Sequence, residues 1–90
     1  MRITFDPQAD AIYLTITEFQ KDNNGQSVIN DFGVIIDVDS SVKPRGYEFL
    51  SVRYQGVILD TLPQEVVRAV TAFIESGAFD SAEFVSQEVF

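Results

Sequence analysis

Apolar and polar residues alternate from the first positions of the chain, with Ile3 and Phe5 on one side of an extended backbone and Arg2 and Thr4 on the other. This pattern predicts a strand over residues 2–5. Asp6-Pro7-Gln8-Ala9-Asp10 interrupts it as a turn, because Asp accepts bonds from amides two residues on and Pro presets φ at the corner. Alternation resumes over residues 11–18, with Ile12, Leu14 and Ile16 opposite Tyr13, Thr15 and Thr17, so the first two strands form an antiparallel hairpin. The polar run from Gln20 to Gln26, which contains Asn24-Gly25, is a loop. Ser27 to Asn30 follows as a short strand and Asp31-Phe32-Gly33 as a tight corner. Val34 to Val38 is almost wholly apolar, which predicts a central strand covered on both faces. After a break at Ser40 to Pro44, Gly46 to Leu50 returns as a second central strand, with Tyr47 and Phe49 facing away from Glu48 and Leu50. Ser51 to Leu59 carries the apolar group Val57-Ile58-Leu59 without a clear period.

At Thr61 the period changes to that of a helix. Leu62, Val66, Val70 and Phe73, widened by Val67 and Ile74, form an apolar stripe opposite Gln64, Arg68, Thr71 and Glu75. Thr61 and Gln64 fit a capping box, with Pro63 at the second helical position, and Gly77 fits the left-handed stop. The predicted fold is therefore α+β: an antiparallel sheet of four to five strands with one amphipathic helix packed on one face. The 90 residues form a single domain, β-rich over 1–60, helical over 61–77 and apolar again over 78–90.

That last segment matters. Phe79, Phe84, Val85, Val89 and Phe90 follow the helix in a domain with little interior left to bury them. They are expected to form an interface in a homodimer, the commonest closed assembly. The alternative is that residues 79–90 fold back as an extra strand and cover the free face of their own sheet.

Charge narrows the list of partners. Fourteen acidic residues against 6 basic ones give a net charge of −8, and the basic residues are scattered. Nucleic acid and anionic membrane are repelled by such a field, whereas a small basic protein is suited to it. An N-terminal apolar run of about 7–15 residues, as in a signal peptide, is missing. So is any stretch near the roughly 18 apolar residues of a membrane span, and a soluble cytoplasmic protein is expected.

Candidate chemistry is sparse. The chain has no Cys and no His, which removes disulfides, thiolate ligands and the usual nucleophile–base pair. Asp37 and Asp39 lie two apart on a strand, and Glu48 on the next strand can face the same side. These three carboxylates are the only candidate metal ligands or acid–base pair, but a solvated strand face with Asp39 starting a turn is the plainer account of them. Asp6 and Asp10 are read as turn caps, and Tyr13, Tyr47 and Tyr54 as core-edge or interface aromatics. No catalytic residue and no cofactor site is expected.

Two blocks resemble a known family. Phe5-Asp6-Pro7-Gln8-Ala9-Asp10-Ala11-Ile12-Tyr13-Leu14 is similar to the opening of domain of unknown function 2283, a small prokaryotic family. Ile36-Asp37-Val38-Asp39 followed by Gly46-Tyr47-Glu48-Phe49-Leu50 is similar to its second half. The likeness spans residues 1–52. Ser40-Ser41-Val42 stands where the family usually has Gly, and residues 53–90 lie beyond the usual short domain. The resemblance implies a small β-rich domain without established activity, one suspected of acting as an antitoxin. The functional expectation is a non-catalytic protein-interaction module. The alternatives are a metal-binding protein or enzyme using Asp37, Asp39 and Glu48, or a purely self-assembling structural domain.

Overall fold

A computed structural model describes residues 1–16 and 25–89. The predicted continuation of the second strand past Ile16, most of the Gln20–Gln26 loop, and Phe90 lie outside the described residues. The elements are β1 (Arg2–Asp6), β2 (Ala11–Thr15), β3 (Gln26–Ile29), β4 (Ile35–Val38), β5 (Pro44–Phe49), α1 (Val52–Gln55), α2 (Gln64–Glu75), a 3₁₀ turn at Ala78–Asp80, and β6 (Val85–Glu88). All strand pairs are antiparallel and the sheet order is β3-β4-β5-β2-β1-β6.

The α+β class and the antiparallel sheet are as expected; among the described residues the sheet has six strands, because the C-terminal segment supplies β6. Pairing carries one face straight across the sheet. Ile3 and Phe5 of β1 stand opposite Leu14 and Ile12 of β2, which in turn stand opposite Tyr47 and Phe49 of β5. All six are buried, and α2 closes over them with Val66, Ala69, Val70 and Phe73. These are the stripe positions read from the 3.6 period, with Ala69 added and Leu62, Val67 and Ile74 only half-buried at its rim.

Three expectations about individual elements change. Val34–Val38 is not central: β4 lies second from the edge, and Ile35 is half-buried on the face away from the helix. Its apolar run reflects Val34, Ile36 and Val38 packing inward, with Ile35 standing opposite Glu48 rather than under a covering layer. Thr61 does not cap α2. It has φ 69°, Pro63 occupies the N-cap with no side-chain bond, and Gln64 is the first helical residue. A residue before proline avoids the helical region, so Leu62 cannot continue a helix begun at Thr61. Ser51 to Leu59 contains the short α1, whose Val52 is buried and whose neighbours Val57 and Leu59 pack at the core edge.

Gly77, at φ 85°, ends α2 as predicted, and the 3₁₀ turn then sends Ala78 into the core. Phe79 meets the Phe5 ring at a centroid distance of 5.3 Å, tilted by 45°. β6 runs antiparallel along β1, and Val89 N–H donates to the Met1 carbonyl at 2.8 Å. Phe79, Val85 and Val89 thus pack against the core of their own chain, while Phe84 is 63% exposed. The apolar demand that suggested a second copy is met within one chain for those three. The segment does fold back, but it extends the sheet edge, and among the described residues no element covers the face opposite α2.

Candidate functional site

The open face is built by the alternate positions of the same strands. Tyr13 on β2 stands opposite Glu48 on β5, and Gly46 on β5 opposite Asp37 on β4. Tyr13 does not stay on its own pair of strands. Its ring lies across β5 over Gly46, and its hydroxyl donates to Asp37 Oδ2 at 2.6 Å. From the other side Ser27 on β3 donates its hydroxyl to Asp37 Oδ1 at 2.6 Å. Four strands are thereby joined by one row of side chains. A Cβ at position 46 would sit 2.7 Å from Tyr13 Cζ and closer still to its oxygen, so only glycine admits the crossing.

Electrostatics determine what this row can do. Burial, then the bond to Asp37 and the charges of Asp37 and Glu48, push the Tyr13 hydroxyl well above its ordinary pKa. It remains a phenol at neutral pH, a donor and not a base. Both Asp37 oxygens already accept a hydrogen bond. The row therefore locks strand to strand rather than moving protons.

Asp39 is turned to a different task. Its Oδ1 accepts the amides of Ser41 (2.8 Å) and Lys43 (2.9 Å), and its Oδ2 accepts the Arg45 guanidinium at 2.7 and 3.0 Å. The Lys43 amide first, then the Ser41 amide and the Arg45 guanidinium with its charge, hold its carboxyl below the usual range against the opposing effect of burial. The candidate carboxylates Asp37, Asp39 and Glu48 do not converge on one site: Asp39 starts the β4–β5 turn, in keeping with the plainer reading of it. Among the described residues no group of three or more His, Cys, Asp or Glu side chains is placed to hold a metal ion.

Asp6 caps its turn as read, accepting the Gln8 amide at 3.0 Å. Asp10 does more. At φ 54° its carbonyl accepts the Val52 amide (3.0 Å), and its carboxylate accepts the Arg53 amide (3.1 Å) and Nε (2.8 Å), so it caps α1 across the fold. Burial opposes ionisation of Asp10, but the Arg53 side chain, its amide and its charge lower the pKa nonetheless. Arg53 also donates to the Pro7 carbonyl at 2.6 Å and lies 5.4 Å from the Phe5 ring centroid. Of the three tyrosines Tyr47 is in the core, only 2% exposed, and Tyr54 is on the surface.

The second feature is a cleft of about 280 Å³ where β5 ends. The chain turns there through left-handed residues, Ser51 at φ 53° and Gly56 at φ 79°. Phe32, Val34, Phe49, Leu50 and Ile58 line it together with the polar Gln55. Phe32, Leu50 and Ile58 are 42%, 47% and 40% exposed. Sequence reasoning missed this cleft, and it missed Ser27, Gly46 and Arg53. Gly46 alone left a signal, since a lone Gly inside a strand pattern marks close approach. No family model, no curated protein and no solved structure matches the chain.

Proposed function

We propose that the protein is a non-catalytic protein-interaction module, antitoxin-like in neutralising a small basic partner, with the cleft at the end of β5 as its contact surface. The observation that carries this reading is the convergence of Phe32, Leu50 and Ile58, three of the eight large apolar side chains left exposed among the described residues, on one cleft. Exposed apolar side chains grouped in a concavity are the usual mark of a contact site, whereas scattered ones carry no meaning. The net charge of −8 favours a cationic partner, which would be steered to the surface before the apolar contact forms. The tied-up Tyr13, Asp37 and Asp39 speak for structural roles on the rest of the surface.

The test is co-purification from the native cell with the parent and with Phe32→Asp, whose exposed turn position leaves the core intact. A small basic companion is expected with the parent, weakened by salt and lost with the variant. An identical set of companions for both would refute the reading. Metal binding has its own check, a thermal melt with millimolar Ca²⁺, Mg²⁺ or Mn²⁺. Saturation of a native-state site a hundredfold above Kd adds about 2.7 kcal/mol. No shift is expected; a rise of several degrees would return attention to Asp37 and Glu48.

A further inference from the structure

β3 is a short edge strand, and among the described residues it carries neither the charge, the proline nor the bulge that edges use against pairing. Gln26-Ser27-Val28-Ile29 contains no Lys, no Pro and no charge, its pairing with β4 is regular, and all four residues are exposed. No described strand lies along its outer side. The opposite edge differs: β6 carries Glu88, ion-paired with Arg2. We propose that β3 is a self-pairing edge, and that its occupant is β3 of a second copy of this chain in antiparallel register about a two-fold axis at Val28.

The register follows from the backbone. Asn30 N–H donates to the Val34 carbonyl at 3.0 Å, so Asn30–Val34 is a hydrogen-bonded pair. Bonded and non-bonded pairs alternate in an antiparallel ladder, which makes Val28–Ile36 bonded and leaves Ser27 and Ile29 with N–H and C=O pointing away from β4. Two such edges satisfy all these groups when Ser27 of each copy stands opposite Ile29 of the other. The axis then passes between the two Val28 residues. Centring on Ser27 instead would set Ile29 against Gly25, outside the strand.

Charge does not oppose pairing at this edge. Two copies at −8 repel, and β3 is a strand with no ionisable side chain, so pairing there brings no carboxylates into register. It also buries Val28, 43% exposed, against its own copy, and Ile29, 69% exposed, over the second chain. The sheet continues from one copy to the next with both α2 helices on the same side. The cleft at the end of β5 takes no part, so this inference stands or falls separately from the partner reading.

The chain has no Cys, so a single Val28→Cys places one thiol per copy at the axis. Opposed residues of a non-bonded pair have Cα atoms about 4.5 Å apart, within disulfide reach. Under mild oxidation Val28→Cys is expected to become a covalent dimer, while Ser86→Cys on β6 stays monomeric. Sedimentation of the parent is expected to show a reversible dimer. Ile29→Pro, which removes an outward N–H that β4 does not use, is expected to sediment as a folded monomer; Val28→Lys, which sets two like charges at the axis, gives the same readout if the proline variant fails to fold. A parent that stays monomeric through hundreds of micromolar overturns the proposal. So does Val28→Cys that crosslinks no faster than Ser86→Cys, or a folded edge variant that dimerises like the parent.

Discussion

A methyl group at position 46 has no room, because the Tyr13 ring already lies against that stretch of β5 on its way to Asp37. Gly46→Ala is expected to lift the ring, break the bond and cost about 1–3 kcal/mol in urea unfolding, the usual range for overpacking. Tyr13→Phe keeps the ring and loses only the hydroxyl, at about 1 kcal/mol, less than a buried bond to a charged acceptor because the face is half-exposed. The pair also sets a pH dependence. The folded pKa of Tyr13 is raised, so its contribution is complete below the unfolded value of about 10 and is lost as pH climbs through the folded one. Stability should fall above pH 10, less steeply in Tyr13→Phe, as read by denaturant melts at successive pH values. Asp37 was legible in the sequence as a strand-face carboxylate. Its neighbours were not, because Tyr13 and Ser27 reach it from strands whose order a sequence does not print.

α2 is the element the sequence described best, because a 3.6 period over twelve residues is a long signal and the sheet beneath it needs cover. Phe73 is 1% exposed in that stripe. Phe73→Ala is expected to cost about 3–5 kcal/mol by thermal or urea unfolding, a large share of a small domain's stability. The start of α2 was misread for a local reason: Pro63 forbids the helical approach that a cap at Thr61 requires. α1 escaped notice altogether. Four residues have no period to show, and its cap, Asp10, lies more than forty positions away in sequence. Asp10→Asn tolerates the left-handed backbone but surrenders the Arg53 ion pair, so amide exchange within α1 should quicken while α2 is unaffected. Because the Asp10 pKa is lowered, that protection is present above about pH 4 and is lost as pH falls through the folded value. Asp10→Asn should abolish this acid sensitivity.

At the scale of the whole molecule the hairpins β1–β2 and β4–β5 were readable, since short turns join them, and so was the class they form. The order of the sheet was not. Joining β5 to β2, and β6 to β1, depends on contacts between distant residues that periodicity leaves open. The apolar residues after Gly77 looked like surplus because a one-helix, five-strand sketch had no place for them; a sixth strand gives them one. A chain ending at Ser81 should keep Phe79 on Phe5 yet bare the outer edge of β1, and light scattering should report aggregation that the full chain does not show. The same pairing has a consequence during synthesis. Arg2 bonds Ser86 and Glu88, across 84 and 86 positions of sequence. A ribosome delivers about 5–20 residues each second. For the seconds between the appearance of residue 6 and that of residue 88, β1 waits with its outer backbone unclaimed, and whatever shields the nascent chain must shield that strand.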